Sequence, residues 1–154
     1  MKTIVVLSDT HGNKKAIGKI SDIILESDYV FHLGDFYDDF VDYAYALKDK
    51  AFQVYGNCDY ISGEAGAEKI VEIEGVKILA THGHLYGVKQ SREKLEVGAT
   101  LVFYGHTHVA EIYEKNGITL VNPGCLYEYS PQKSFAYVVI NNGKITAVIN
   151  DKII

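Results

Sequence analysis

The order of apolar and polar residues predicts alternating strands and helices in the first half of the chain. Apolar residues recur at helical spacing over 16–24, with Asn13 as the predicted N-cap, and a shorter helix is predicted over 43–47. Short apolar runs, typical of strands buried on both faces, occur at 4–7, 29–33 and 51–55. The first half therefore has the strand-helix-strand-helix-strand order of an α/β protein.

The second half of the chain is a series of predicted hairpins. Tight turns fall at Glu74-Gly75, Asn116-Gly117 and Asn142-Gly143, and the two Asn-Gly pairs are strong hairpin signals. A helix is also predicted over about 88–97. The predicted strands of this half are 69–73, 76–80, 101–104, 111–114, 118–121, 135–140 and 144–149. Together the two halves predict an α/β fold of two packed mixed β-sheets flanked by helices, in one domain spanning 1–154.

Composition narrows the class of protein. Of the 154 residues, 47% are hydrophobic and 23% are charged, as in ordinary globular domains. No apolar run approaches the roughly 18 residues that span a bilayer, and the first run is too short for a signal peptide. We therefore expect no membrane contact and a cytoplasmic location. Cys58 and Cys125 are too few for a disulfide framework.

The charge of the chain bears on nucleic-acid binding and on how a phosphate could be bound. A formal net charge of −5 argues against a general nucleic-acid-binding surface. Arg92 is the only arginine, so positive charge for any phosphate chemistry must come mainly from another source. Metal ions are the obvious candidates.

Polar side chains that can bind metal follow the predicted strands at five places. They are Asp9-Thr10-His11-Gly12, Gly34-Asp35, Gly56-Asn57-Cys58-Asp59, Thr81-His82-Gly83-His84 and Gly105-His106-Thr107-His108. Because ligands of open α/β sheets bind at the carboxyl ends of the strands, we expect these motifs to meet at one rim of the fold. One Gly-Asp or Gly-Asn pair is ordinarily a turn, but five polar strand ends in succession favour a functional site.

These motifs supply a complete set of carboxylate, imidazole and amide ligands for two divalent metal ions. The predicted ligands are Asp9, His11, Asp35, Asn57, His82, His106 and His108. We expect an extended Gly105-His106-Thr107-His108 segment whose two histidines serve two ions. His32 lies inside an apolar strand, and we interpret it as an ordinary core residue.

The motifs, in this order and spacing, resemble those of the calcineurin-like metallophosphoesterase superfamily over essentially the whole chain, most closely its small prokaryotic YfcE-like phosphodiesterase branch. Asn122-Pro123-Gly124 is similar to the loop that closes the site in that branch. The resemblance implies a four-layer αββα sandwich and two divalent metal ions. It implies a first ion held by Asp9, His11 and His108, a second held by Asn57, His82 and His106, and Asp35 as the bridge between them.

The implied reaction is the hydrolysis of a small phosphate ester by a water or hydroxide held between the ions, and we expect a phosphodiesterase. Two divalent ions exceed the charges of Asp9 and Asp35 by about two positive units, enough to attract a phosphate without arginine. Mn, Ni, Fe, Co and Zn all suit this mixed ligation. We expect Asp35, Asn57 and His84 to act in catalysis, the first two as ligands and His84 beside them.

Cys58 departs from the family pattern. Many members carry a histidine directly after the metal-binding asparagine, where it can protonate the leaving group. A thiol is a weak hydrogen-bond donor, and general acid catalysis contributes about 10²- to 10⁴-fold, so we expect modest turnover or a good leaving group. His84 is the residue that could compensate. Asp59 either orients this loop or is a simple turn residue.

Two other functions stay open. A phosphomonoesterase would use the same ligands, and a non-catalytic scaffold occurs among the retromer-subunit relatives of this branch. Those relatives tend to lose metal ligands, whereas none is missing here, which favours the enzyme. Exposed hairpin edges also favour self-association.

Several residues near the motifs are candidates for contacts with a substrate. Tyr37, Tyr86 and Tyr127 either shape a pocket or are half-buried aromatic residues. Lys89 either contacts phosphate or begins a solvated helix.

Overall fold

Ten strands and three short α-helices form the part of the chain that the computed structural model describes, residues 1–59, 66–85 and 98–153. The strands are β1 (Lys2–Leu7), β2 (Tyr29–His32), β3 (Ala51–Gln53), β4 (Glu68–Ile73), β5 (Val76–Thr81), β6 (Leu101–Phe103), β7 (Glu111–Lys115), β8 (Ile118–Asn122), β9 (Phe135–Asn141) and β10 (Lys144–Asn150). The helices are α1 (Lys14–Lys19), α2 (Ser21–Glu26) and α3 (Val41–Leu47), with 3₁₀ turns at Tyr37–Phe40 and Lys48–Lys50.

The first sheet has the strand order β10-β9-β1-β2-β3. Its strands β1, β2 and β3 are parallel, with Val6 opposite Phe31 and Phe31 opposite Phe52. Strands β9 and β10 form an antiparallel hairpin, and both residues of its Asn142-Gly143 turn have positive φ. A turn of this kind matches the twist of the two strands, and the predicted hairpin is confirmed.

The second sheet has the strand order β4-β5-β6-β8-β7. Strands β5, β6 and β8 are parallel, and the edge strands β4 and β7 run antiparallel to their neighbours. The predicted hairpins β4–β5 and β7–β8 are present, with positive φ at Glu74-Gly75 and at Asn116-Gly117. The five motifs all follow parallel strands, β1, β2 and β3 in one sheet and β5 and β6 in the other.

The largest apolar cluster lies between the two sheets. Val6 of β1 belongs to it, together with Phe31 and Phe103, whose rings meet edge to face at 5.0 Å. Leu7 belongs instead to the cluster that joins the first sheet to the helices, with Ile17 of α1. Strand β1 is therefore buried on both faces as predicted, and this fixes the position of its carboxyl end.

The predicted α/β class, with two packed mixed sheets and helices, is confirmed. The helix predicted over 88–97 falls outside the described residues. Among the residues that are described, no helix is long and apolar enough to cross a membrane. A single domain over 1–154 stays a prediction.

The helix predicted over 16–24 is wrong in one respect, because the structure has two helices there. The chain leaves helical geometry at Ile20, which separates α1 from α2. Gly18 in the last turn of α1 is a weak helix former, which favours an early end. The predicted N-cap is confirmed, since the Asn13 side chain accepts a hydrogen bond from the Ala16 N–H at 3.2 Å.

The third strand is shorter than predicted. It ends at Gln53, and Val54 beyond it makes a single parallel bridge to Gly66.

Candidate metal centre

The five motif loops meet at one rim, where the parallel strands of both sheets end. Two groups of side chains there each bring their ligand atoms within 4.8 Å of one another. The first group is Asp9, His11, Asp35 and His108, and the second is Asp35, His82 and His106. Asn57 joins the second group, with Oδ1 3.1 Å from His82 Nε2 and 3.1 Å from His106 Nδ1. All seven predicted ligand residues therefore come together, in two groups that share Asp35.

Asp9, directly after β1, directs one carboxylate oxygen into the site. Its Oδ2 accepts hydrogen bonds from the Ser8 hydroxyl and from the His106 N–H at 3.0 Å. Its Oδ1 lies 3.2 Å from His108 Nε2 but has no hydrogen-bond partner among the described residues. One oxygen of this fully buried carboxylate is thus anchored, and the other is left for the histidines around it.

Asp35 lies between the two groups. Its Oδ1 accepts a hydrogen bond from the Cys58 N–H at 2.9 Å. Its Oδ2 lies 3.5 Å from His11 Nε2 and 3.4 Å from His82 Nε2. Asp35 Oδ2 is therefore almost equally distant from one histidine of each group.

The orientation of His82 is fixed by its second ring nitrogen. The Nδ1–H donates to the Leu33 carbonyl at 2.8 Å, so Nε2 faces Asp35 and carries the lone pair whenever the ring is neutral. Metal-binding histidines are usually oriented in this way by a carbonyl or carboxylate behind them.

Five of the seven predicted ligands have left-handed backbone. They are Asp9 (φ 54°), His11 (43°), Asp35 (59°), His106 (73°) and His108 (63°). Such backbone costs about 1 kcal/mol or more at a residue other than glycine, and it concentrates at functional sites. The expectation of an extended segment at Gly105–His108 is therefore wrong. The chain turns at both histidines, and this turn directs His106 to the second group and His108 to the first.

Asp59 holds the loop that carries Asp35. Its Oδ2 accepts hydrogen bonds from the N–H groups of Asp35 at 2.7 Å and Gly56 at 2.8 Å. Its Oδ1 accepts from Phe36 at 2.7 Å and Tyr37 at 3.2 Å. Charge-assisted hydrogen bonds of this kind are strong, and they stabilise the left-handed turn. Of the two roles open to Asp59, these contacts favour loop orientation.

A second carboxylate, Asp39, holds the loop after β1. Its Oδ2 accepts hydrogen bonds from the Thr10 hydroxyl and the Gly12 N–H, both at 2.7 Å. The Thr10 Oγ1 also lies 3.1 Å from His32 Nε2, and His32 Nδ1 accepts the Gly34 N–H at 3.1 Å. Burial lowers the pKa of His32 to about 4, so the ring is neutral and its Nε2–H donates to Thr10. His32 is a satisfied core residue, and it also connects the loops after β1 and β2.

Asn122 holds the loop after β6. Its Nδ2 donates to the Gly105 carbonyl at 3.3 Å and to Thr107 Oγ1 at 3.0 Å, and its Oδ1 accepts the Gly124 N–H at 2.9 Å. The Asn122-Pro123-Gly124 segment therefore contacts the loop that carries His106 and His108.

Two glycines allow the loops to approach closely. A Cβ at Gly56 would overlap the Asp35 carboxylate and lie 2.9 Å from His82 Nδ1. A Cβ at Gly105 would overlap the Ser8 hydroxyl and lie 2.8 Å from Asp9 Oδ2. Close packing against the ligands explains glycine at both strand ends.

The buried carboxylates set the charge of the histidines. Burial opposes ionisation of Asp9, but contacts with His108 and the other histidines outweigh it and hold the pKa of Asp9 below its usual value. Burial and the contact with His82 compete in the same way at Asp35, whose pKa is also lowered. Burial works against protonation of His82, yet the carboxylates raise its pKa, and contact with Asp9 raises that of His108. The site therefore favours positive charge, which protons or divalent ions can provide.

Three buried side-chain atoms lack a hydrogen-bond partner within the described ranges, and all belong to the motifs at this rim. They are Asp9 Oδ1, His11 Nε2 and His84 Nδ1. Such orphaned atoms are rare in folded proteins. Asp9 Oδ1 and His11 Nε2 lie 3.8 Å apart, and a carboxylate oxygen with an imidazole nitrogen suits one divalent transition-metal ion. The residues present therefore fit a metal.

Cys58 and His84 flank the second group. The Cys58 Sγ lies 3.6 Å from Asn57 Nδ2. Burial and the charge of Asp35 raise the pKa of the Cys58 thiol, so it stays protonated at neutral pH. The His84 ring lies 5.3 Å from the His82 ring, and burial, followed by the charge of His82, lowers the pKa of His84. His84 is therefore a neutral imidazole beside the predicted ligands.

A largely apolar cavity of about 670 Å³ opens beside His108. Tyr127 and Tyr129 line it, and their rings meet edge to face at 5.6 Å. The centroid of the Tyr127 ring also lies 5.2 Å from that of the His11 ring and 6.0 Å from that of the His108 ring.

Of the other candidates for substrate contacts, Tyr37 does not line this cavity. Tyr37 is buried in the fold, with 5% of its surface exposed. Tyr86 and Lys89 fall outside the described residues.

Sequence reasoning missed Asp39 and Tyr129. Asp39 binds Thr10 across 29 residues of chain, and nothing in its own neighbourhood indicates that contact. Tyr129 lies just beyond the Asn-Pro-Gly loop, and an aromatic residue so close to a motif was a signal that could have found it.

Comparison with known proteins identifies the family. Residues 1–143 match the calcineurin-like phosphoesterase superfamily domain. The chain is 31% identical over 157 residues to the probable metallophosphoesterase YsnB of Bacillus subtilis, covering 97% of this chain and 90% of YsnB. The fold and its rim define a metallophosphoesterase, and the chain belongs to the calcineurin-like phosphoesterase superfamily. The resemblance read from the motifs is confirmed.

Solved structures share this architecture. A predicted phosphoesterase from Streptococcus pneumoniae TIGR4 matches with a TM-score of 0.77 and 28% identity, over 97% of this chain and 89% of that chain. An archaeal phosphodiesterase matches with a TM-score of 0.74 and 23% identity, over 96% and 99%. Vps29 of Entamoeba histolytica, complexed with zinc, matches with a TM-score of 0.73 and 22% identity, over 97% and 98%. The last two likenesses concern the fold alone.

Proposed function

We propose that the protein is a metal-dependent phosphodiesterase that hydrolyses a small phosphate ester. The main support is the position of Asp35 Oδ2, 3.5 Å from His11 Nε2 and 3.4 Å from His82 Nε2. Membership of the superfamily supports phosphoesterase chemistry and divalent metal ions. The presence of two ions and the preference for diesters are part of the proposal.

Seven residues would hold the two ions. The first ion would be bound by Asp9, His11 and His108, the second by Asn57, His82 and His106, and Asp35 would be shared. When bound, the ions supply the charge that attracts phosphate and activates water. Mn, Ni, Fe, Co and Zn suit these ligands, and we propose manganese as the first to test.

The chain's own residues would orient the ester. The Cys58 N–H donates to Oδ1 of the Asp35 carboxylate, and this hydrogen bond keeps Oδ2 directed between the two ligand groups. Neutral His84, whose Nδ1 has no hydrogen-bond partner among the described residues, can donate a hydrogen bond to a phosphate oxygen or to the leaving group. The protonated Cys58 thiol is a poor donor, so His84 is the better candidate for this role.

A diester suits the charge of the rim better than a monoester. A monoester at neutral pH is largely a dianion and gains from added cationic contacts, whereas a diester carries one negative charge. No lysine or arginine is among the described residues that form the two ligand groups or the adjoining cavity. The fold-level likeness to an archaeal phosphodiesterase is consistent with this preference.

The proposal is tested with chelator-stripped protein reloaded with Mn²⁺, Ni²⁺ or Zn²⁺. We expect two ions per chain by elemental analysis, and faster hydrolysis of bis-p-nitrophenyl phosphate than of p-nitrophenyl phosphate. Asp35→Asn should lose at least about 10³-fold in kcat together with bound metal, because the shared ligand is weakened for both ions. Asp22→Asn, an exposed carboxylate on α2, is the matched control and should change neither.

Different results would overturn different parts of the proposal. Wild-type activity in Asp35→Asn contradicts the shared ligand. Preference for the monoester makes the protein a phosphomonoesterase. Two tightly bound ions without turnover on any ester favour the non-catalytic scaffold.

Two further predictions concern location and assembly. We propose that the protein acts in the cytoplasm and associates with itself through edge strands such as β4 and β7, on which Ile70 and Ile112 are exposed. Light scattering during gel filtration measures the assembly directly, and a monomer at all concentrations contradicts it.

A further inference from the structure

We infer that the cavity beside His108 binds the non-reacting organic group of the ester, and that this group is an uncharged aromatic ring. The inference rests on the proposed function, because it assigns a place to the half of the substrate that the predicted ligands do not contact. The cavity volume of about 670 Å³ lies within the range of about 300–1,000 Å³ that is usual for small-molecule sites.

The cavity is continuous with the candidate metal centre. His108 belongs to both, since its Nε2 lies 3.2 Å from Asp9 Oδ1 and its side chain lines the cavity. Tyr127 forms the next part of the wall and contacts the rings of His11 and His108. A phosphate held by the first ligand group would therefore place one of its substituents at the cavity mouth.

The walls match an aromatic ring. Tyr129 is 78% exposed and Val109 is 64% exposed, so the cavity leaves large apolar surfaces in water. Pro131 and Ile149 extend this apolar lining. Tyr127 and Tyr129 already meet edge to face, and a third ring beside them would gain the same kind of contact.

The charge of the cavity disfavours an anionic group. Asp151 lies in its lining, with Oδ2 accepting a hydrogen bond from Gln132 Nε2 at 2.8 Å. A carboxylate here repels a second phosphate or a carboxylate on the substrate. Polar atoms of Asp151, Gln132 and Ser130 can instead contact neutral substituents on a ring. Both a nucleoside and an aryl group have this chemistry.

The kinetic test uses three diesters with the same leaving group, the p-nitrophenyl esters of methyl, phenyl and thymidine 5′-phosphate. We expect kcat/KM to be at least about tenfold higher for the phenyl and thymidine esters than for the methyl ester. Tyr129→Ala should raise KM for the aromatic esters about threefold to tenfold, as expected for one lost aromatic contact, and leave the methyl ester unchanged. A higher value for thymidine than for phenyl identifies a nucleoside ester, and the reverse identifies an aryl ester.

The matched control is Tyr45→Ala, which removes a tyrosine that is 87% exposed on α3 and is absent from the cavity lining. It should leave all three esters unchanged. Equal kcat/KM for the three esters, or an equal loss for all of them in Tyr129→Ala, overturns the inference.

A binding measurement separates this inference from the proposed function. In manganese-loaded protein, calorimetry should give tighter binding of phenylphosphonate than of methylphosphonate by about threefold to tenfold, and Tyr129→Ala should abolish the difference. If no ester is hydrolysed but this difference persists, the proposed function is wrong and the cavity assignment stands. Equal affinities overturn the cavity assignment alone, and no binding of either phosphonate overturns both.

Discussion

The floor and the wall of the candidate metal centre are held in different ways. We call Asp9, Asp35 and His82 the floor, because all three are buried, and Asn57 and His106 the wall, because both are exposed. Each floor side chain uses a second atom to bond the fold behind it, for example His82 Nδ1 to the Leu33 carbonyl. The two wall side chains instead contact each other and His82: Asn57 Oδ1 lies 3.1 Å from both His106 Nδ1 and His82 Nε2, and His106 Nδ1 lies 3.3 Å from His82 Nε2. The floor therefore belongs to the core of the protein, and mutation should separate folding from metal binding.

The largest expected difference is between His82→Ala and His106→Ala. Both should lower activity by more than about 100-fold, because each removes a predicted ligand of the second ion. His82→Ala should also lower the free energy of unfolding by about 2–4 kcal/mol, since it leaves a cavity and an unpaired Leu33 carbonyl. His106→Ala, at an exposed position, should change it by less than about 0.5 kcal/mol. Denaturant titration of metal-free protein measures both, and equal losses of stability would contradict the division into floor and wall.

The next largest effect concerns the support of the floor. Asp59→Asn removes the charge that holds the loop of Asp35, and we expect activity and metal affinity to fall about 10- to 100-fold. Asp38→Asn, an exposed carboxylate on the neighbouring 3₁₀ turn, is the matched control and should have little effect. Unchanged metal affinity in Asp59→Asn would mean that the turn at Asp35 keeps its conformation without the charge of Asp59.

A smaller effect is expected at the wall. Cys58→His introduces an imidazole beside Asn57 and should raise kcat about tenfold for an ester with a poor leaving group, such as an alkyl alcohol. For p-nitrophenyl esters, whose leaving group needs little help, kcat should change by less than about twofold. Cys58→Ser is the control for polarity alone. The same kcat for both variants on the alkyl ester would exclude an acid role at this position.

The smallest effect on activity is expected for a substitution of His32, which is buried beneath the floor. This substitution should mainly change how the free energy of unfolding depends on pH. Burial lowers the pKa of His32 to about 4 in the folded protein, from 6.5 for the free side chain. Between these values the unfolded chain binds a proton that the folded chain does not, so stability falls as the pH drops from about 6.5 to 4. The full difference is about 3 kcal/mol. In denaturant titrations of metal-free protein, His32→Gln should lose this part of the pH dependence and keep its activity at neutral pH within about threefold. An unchanged pH profile would contradict a neutral, buried His32.

Much of the site was predictable because each ligand follows a strand that the apolar pattern shows. Asp9, Asp35 and His82 directly follow buried runs or lie one residue beyond them, and parallel strands bring their ends to one rim. The direction of the chain at His106 and His108 was not predictable in the same way. Left-handed backbone at histidine is uncommon, and no local rule requires it here.

The two carboxylates that hold the motif loops also differ in how far their roles could be predicted from the sequence. Asp59 stands in a motif, so a role in orienting the loop could be weighed from the sequence. Asp39 binds Thr10 from 29 residues away, and its partner is chosen only when α3 and the preceding 3₁₀ turn pack against the first sheet. Hydrogen bonds over such separations leave no periodic trace in a sequence.

The succession of strands along the chain, the hairpin turns and the seven predicted ligands could be inferred without coordinates, because period, turn chemistry and residue type are local properties of the chain. Three properties required the folded chain: which ligands share a group, which Asp9 oxygen has no hydrogen-bond partner among the described residues, and how deeply each histidine is buried. The meeting of Tyr129, Val109 and Asp151 in one cavity beside His108 also required it. These are distances between residues far apart in the chain, and only the packing of the two sheets determines them.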